Sequence, residues 1–212
     1  MGFFLFMVWL YAGEIMAINI LALGDSYTVG TGVLPTQSWP FQLKTKLAQK
    51  SNPVDLRVIA RNGWTSADLL QAVNAAQLTT DYDRVLILIG VNDQFQKRDA
   101  SEYHANVTQI FKIAQRAAKN NPAHVLVLSI PDYGLTPFGQ RFAPERITKE
   151  LTEFNAIERM EAKTFGFSYL SISDLSREVA TDRTLMAPDG LHYSGKMYAR
   201  WVERIERMLQ LP

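Results

Sequence analysis

Four short stretches of this chain carry side chains that could do chemistry together. Ser26 stands in Gly24-Asp25-Ser26 near the start, and Asp189 and His192 stand three apart in Pro188-Asp189-Gly190-Leu191-His192 near the end. A serine hydroxyl is a poor nucleophile until an imidazole takes its proton. The imidazole works best when a carboxylate fixes its tautomer and stabilises its charged form. The chain order Ser26, Asp189, His192 thus offers nucleophile, orienter and base, the set a serine esterase needs. Gly63, after Arg61-Asn62, and Asn92, in Gly90-Val91-Asn92-Asp93, offer the complementary part. Attack on an ester carbonyl builds negative charge on oxygen, so donors must already point to where that charge appears. A glycine N–H can approach without a Cβ in the way, and an asparagine amide can donate from a strand end.

Each residue also has a plainer reading. Ser26 alone is a helix N-cap or turn serine. Asp189-Gly190 is a turn pair, Gly63 a simple turn glycine, and Asn92-Asp93 a turn after a strand. His192 alone is a surface-loop histidine. The chain has three histidines; His104 falls in a helical pattern and His124 opens a strand, which leaves His192 as the base. All the plain readings would have to hold at once, and one shared site explains the set more simply. Asp25 and Asp93 invite a metal or acid–base pair, but each reads more simply as a turn or cap residue. No metal and no cofactor is expected.

The elements must then bring these stretches together. Apolar runs at Ile18–Leu23, Val54–Ala60, Arg84–Ile89, His124–Ile130 and Phe167–Ile172 read as buried strands. Helical spacing recurs at Ser101–Lys119, with Val107, Ile110, Phe111, Ala114 and Ala118 on one face, and at Glu145–Lys163, with Ile147, Leu151, Phe154, Ile157 and Met160. A last helix begins near Ser194, its expected N-cap, and buries Met197, Trp201, Ile205 and Met208. Strands alternating with such helices predict an α/β fold, a three-layer αβα sandwich around a flavodoxin-like, five-stranded parallel sheet. Ligands bind such sheets outside the carboxyl ends of the strands. Ser26, Gly63, Asn92 and the Asp189–His192 segment all follow strands there.

The 212 residues suit one domain, with 47% hydrophobic and 20% charged residues and a formal charge of +1. Scattered lysines and arginines speak against a nucleic-acid partner. Absence of cysteine excludes disulfides and thiol chemistry. Phe3 to Ala12 is strongly apolar yet too short to span a membrane, and the first basic residue is Lys44, unlike a secretory signal. Residues 1–15 read as an extension, an export or anchoring segment, or a docked helix, with residues 16–212 as the domain. Localisation stays open between cytoplasm and export.

In order, Gly24-Asp25-Ser26, Gly63, Gly90-Val91-Asn92-Asp93 and Asp189-Gly190-Leu191-His192 resemble the four blocks of the SGNH (GDSL-type) hydrolases, over essentially all of Ile18 to the C-terminus. Ile130-Pro131-Asp132-Tyr133-Gly134 and Ser194-Gly195-Lys196 are similar to bacterial members. The resemblance implies Ser26 as nucleophile, His192 as general base and then acid, and Asp189 as its orienter. It implies an oxyanion hole from the Ser26 N–H, the Gly63 N–H and the Asn92 side chain. Tyr193 departs from the proline that many relatives place there. The G-x-S-x-G elbow of α/β-hydrolases is absent. The apolar segment Tyr133, Leu135, Pro137, Phe138, Phe142 either packs on helices or lines an acyl pocket, with Tyr27 and Trp64 near its mouth. The expected activity is hydrolysis of small acyl esters, with acyl transfer, sugar deacetylation or lysophospholipid cleavage as variants. A non-catalytic alternative has the loop Gly24–Gly32 cradling a nucleotide phosphate.

Overall fold

The computed structural model describes residues 16–50 and 53–209; the apolar stretch at residues 1–15 lies outside the described residues. Five strands, β1 (Ile18–Gly24), β2 (Val54–Ala60), β3 (Arg84–Leu88), β4 (Val125–Leu128) and β5 (Ser168–Leu170), form one parallel sheet in the order β2-β1-β3-β4-β5. The central strands are buried on both faces, Leu21, Ala22, Leu23 and Val85 to Leu88 among them, which is why they read as continuous apolar runs rather than alternating ones.

Helices α1 (Ser26–Val29), α2 (Trp39–Ala48), α3 (Ser66–Ala75), α4 (Val91–Phe95), α5 (Ala100–Ala117), α6 (Pro144–Phe165) and α7 (Gly195–Leu209) fill the connections. α2 packs on α7, while α3 packs on α5 and α5 on α6. Right-handed crossovers from this strand order put the first pair on one face and the other three on the opposite face. The result is the αβα sandwich. The chain leaves β1 toward β2 but then proceeds outward from β3, so a crevice opens where the carboxyl ends of β1 and β3 part.

Strand and helix ends fall within two residues of their expected positions, with three differences inside them. Met160 and Met208 are 72% and 41% exposed. In α6 the inward positions near Met160 go instead to Glu158 and Glu161; Glu161 accepts from the Thr108 hydroxyl and bonds the His104 ring. Near the end of α7, Leu209 takes the interior instead of Met208. Ser194 stands at the N-cap position of α7, its carbonyl accepting from the Tyr198 N–H, but among the described residues its hydroxyl donates to the Thr184 carbonyl at 2.7 Å and accepts from no N–H of the helix. Among the described residues, no helix is long and apolar enough to cross a membrane.

Candidate active site

Ser26 is the first residue of α1, two residues beyond Gly24, the last of β1. Asp25 is its N-cap and accepts from the Tyr27 N–H at 3.0 Å. Gly24 must be a glycine here: a Cβ would lie 2.2 Å from the Thr28 hydroxyl and 2.4 Å from the Leu88 carbonyl. That close approach of α1 to β3 fixes the serine over the crevice.

The segment Asp189–His192 forms its own closed loop. Asp189 Oδ1 accepts from the backbone N–H groups of Leu191 and His192, each at 2.9 Å, and Oδ2 lies 2.6 Å from His192 Nδ1. One carboxylate therefore shapes the turn and orients the ring. Burial pushes the Asp189 carboxyl up, but the His192 ring and the two N–H groups more than offset this and hold it below its ordinary value. The loop is stitched at its base by Ala187 N–H to His192 O at 2.8 Å and Ser194 N–H to Leu185 O at 2.9 Å. Tyr193 is fully buried there; its hydroxyl lies 2.7 Å from Ser176 Oγ, and its ring packs between Tyr27 and Trp201. Side-chain anchoring thus steadies the position where many relatives carry a ring-locked proline.

Ser26 and His192 open onto one cleft of about 90 Å³, lined also by Tyr27, Val91, Asn92, Phe95, Tyr133, Phe138 and Leu191. The Tyr27 ring meets the His192 ring edge-on at 5.6 Å. Asn92 Nδ2 donates to the Trp64 carbonyl at 2.9 Å, which leaves a second N–H on the same amide. Gly63, at φ +80°, is exposed one residue before Trp64, in open space, and is not among the residues that line the cleft. Among the described residues, the N–H groups of Ser26 and Gly63 donate to no protein acceptor.

Two residues expected at the pocket lie elsewhere. Trp64 is half-buried against the core and reaches the cleft only through its carbonyl, because its ring turns toward the apolar interior. Phe142 is 58% exposed and stacks behind Phe138 at 5.1 Å without lining the cleft. Tyr27 does line it, but as a buried support for His192 rather than a mouth residue. Val91 and Phe95 were not singled out from sequence. They flank Asn92 four residues apart, the spacing that puts two side chains on one face of a helix, and this pair was the available signal.

The Gly24–Gly32 loop offers no phosphate cradle. The N–H groups of Thr28, Val29, Gly30 and Thr31 are spent on the carbonyls of Asp25 and Ser26. A Cβ on Gly32 would lie 2.8 Å from the Ala187 Cβ and 3.6 Å from Asp189 Oδ2, so an anion there would face a carboxylate. Asp25 and Asp93 are likewise engaged: Asp93 accepts from Ser66 N–H and Oγ–H at 2.8 and 2.6 Å. Burial pushes the Asp25 carboxyl up to about 7, opposed by the Tyr27 N–H and reinforced by nearby Asp93.

The chain matches the model of the GDSL-like lipase/acylhydrolase family over residues 22–200. No curated protein matches it. Among solved structures it is similar to the lipase/acylhydrolase from Enterococcus faecalis, at 23% identity, with 91% of this chain and 94% of that chain covered and a TM-score of 0.71. It is also similar to the psychrotrophic esterase EstA from a Pseudoalteromonas species, at 19% identity, 92% and 100% coverage and a TM-score of 0.72. A third similar structure is a variant of the acetyl xylan esterase Axe2 from Geobacillus stearothermophilus, at 16% identity, 91% and 94% coverage and a TM-score of 0.71. At these identities the likeness is one of fold.

Proposed function

The chain belongs to the GDSL-like lipase/acylhydrolase family, and on that footing we propose that it is a serine esterase acting on neutral esters of small acyl groups. The unit that carries the activity is residues 16–212. Ser26 Oγ attacks the ester carbonyl as His192 Nε2 takes its proton, and Asp189 holds Nδ1 and stabilises the imidazolium. Charge on the carbonyl oxygen is met by the N–H groups of Ser26 and Gly63 and by the Asn92 amide. The intermediate collapses, the C–O bond to the alcohol breaks, and His192 returns the proton to the leaving oxygen. Water then attacks the Ser26 acyl ester, activated by the same imidazole, and releases the acid.

The observation that carries this reading is the 2.6 Å contact between His192 and Asp189 on a loop that opens onto the same cleft as Ser26. The small volume and the apolar wall of Val91, Phe95, Tyr133, Phe138 and Leu191 favour short, uncharged acyl groups. Acyl transfer to an alcohol, sugar deacetylation and lysophospholipid cleavage would use the same acyl-enzyme and differ only in the partner.

The test is a p-nitrophenyl ester chain-length series run beside acetylated sugars and lysophospholipid, with Ser26→Ala as control. Hydrolysis that vanishes in a folded Ser26→Ala protein is expected. EstA is described as inhibited by monoethylphosphonate; an alkylphosphonate ester should add to Ser26, read as a mass increase on the Ser26 peptide. An active Ser26→Ala protein, or a label elsewhere, would overturn the reading.

A further inference from the structure

Gly63 presents an N–H donor from an exposed position, with no heavy atom beyond its chain neighbours within 4 Å of where a Cβ would stand. The turn that carries it is closed by a long bond, Trp64 N–H to Arg61 O at 3.3 Å. A donor on such a turn contributes only if its direction is set before the reaction, because reorienting a loose dipole cancels the stabilisation it would give. Something beneath the turn must therefore hold it.

Two consecutive residues of α4 do so. Asn92 takes the Trp64 carbonyl, one residue after Gly63, at 2.9 Å. Asp93, from the neighbouring position, takes Ser66 N–H at 2.8 Å and Ser66 Oγ–H at 2.6 Å. Both Asp93 and Ser66 are buried, and Asn106 of α5 donates to Ser66 Oγ from behind at 3.1 Å. The carboxylate also sits at the N-terminus of α3, whose first residue is Ser66, where negative charge is favoured. The turn is thus gripped on its C-terminal side by a pair of residues of which one, Asn92, also lines the cleft.

We infer that Asp93 is a positioning residue for the oxyanion donors: its clamp on Ser66 sets the direction of the Gly63 N–H and the seat of the Asn92 amide, although Asp93 touches no substrate. The inference rests on the esterase reading for its kinetic consequence, but not for its structural one.

The experiment pairs kinetics with amide dynamics on the full chain. Asp93→Ala should lower kcat on the order of 10–100-fold, less than loss of Asn92 itself, with KM within about twofold. Asp93→Asn keeps an oxygen for the Ser66 N–H and should recover most of the loss. In an Asn92→Ala background, Asp93→Ala should cost clearly less than in the parent, because coupled residues are non-additive. The 15N order parameter of Gly63 should fall from about 0.85 to below about 0.6 in Asp93→Ala. Should that variant fold poorly, Ser66→Ala, which removes one of the two bonds, should show a smaller kcat loss and a smaller drop in Gly63 order.

Losses that multiply fully with Asn92→Ala, or a Gly63 order parameter unchanged in Asp93→Ala and Ser66→Ala, would overturn the inference. So would a parental kcat in a folded Asp93→Ala whose turnover still needs Ser26. Turnover that survives Ser26→Ala would instead remove the esterase reading, and the Gly63 measurement would still decide whether Asp93 holds the turn.

Discussion

On one side of the cleft, Ser26, Asn92 and His192 stand on segments tied by hydrogen bonds of 2.6–3.0 Å. On the other side, Val91, Phe95, Tyr133, Phe138 and Leu191 meet through carbon surfaces, as in the Phe95–Tyr133 ring contact at 6.2 Å. The two sides follow different physics. Hydrogen bonds are directional and fail when one atom is lost, whereas apolar contact scales with area and degrades by degrees. The polar side should therefore answer substitution with collapse of rate, and the apolar side with a change of preference.

The sharpest way to break that contrast is at Ser26. Ser26→Ala should reduce turnover on the order of 10⁴-fold or more without loss of fold, since the donors and the cleft remain. A few-fold loss would place Ser26 among the wall residues. Next is Asn92→Ala, expected to lower kcat on the order of 10²–10³-fold, the typical result of deleting one oxyanion donor. Steady-state kinetics on a p-nitrophenyl ester read both. Equal kcat losses for Asn92→Ala and Phe138→Ala would erase the distinction between the sides.

The polar side also carries a cost that the apolar side lacks. Asp25 is fully buried, and its carboxyl is pushed up to about 7 from 3.8, burial being the main cause. In the fold it holds its proton more tightly than in the unfolded chain. The stability tied to this group is therefore complete below pH 3.8 and is lost as pH rises toward about 7. Asp25→Asn keeps an oxygen for the Tyr27 N–H and removes the ionisation. Relative to the parent, it should be on the order of 4 kcal/mol more stable at pH 8 than at pH 4. Thermal midpoints of the two proteins followed across that range should diverge upward; parallel curves would mean that Asp25 bears no such cost.

The same contrast explains what could be read from the residues. Asp189 and His192 meet because a three-residue spacing lets a single carboxylate cap its own loop, and that geometry is local enough to be written in a short motif. The strands were equally legible, since both faces of β1 and β3 are covered from Ile20 to Leu23 and from Val85 to Leu88, and every position in those two runs is apolar. The cleft wall was not. Trp64 and Phe142 are aromatic and close in sequence to site residues, but the turn at Gly63 sends one ring into the core, and Phe138 screens the other from the cleft. Val91 and Phe95 become wall only because α4 starts where β3 meets the crevice. Glu158, fully buried on α6, defied the periodic pattern, and Met160 moved outward in exchange. Packing of distant segments decides such positions, and spacing within one segment does not report it.

The smallest effect is the most discriminating. Phe138 lines the cleft, whereas Phe142 is 58% exposed and packs against the Phe138 ring outside the cleft. Phe138→Ala enlarges the wall directly. It should shift the ratio of rates on medium over short acyl esters upward by about tenfold, the scale that one or two methylenes confer in an apolar pocket. Phe142→Ala removes only a brace, and the same ratio should move by less than about twofold. If Phe142→Ala changes the preference as much as Phe138→Ala does, the acyl chain must run past Phe138 onto the outer surface, and the apolar side is longer than the cleft. If neither variant shifts the ratio, the acyl group does not lie along the Phe138 part of this wall, and Val91 and Leu191 become its boundary.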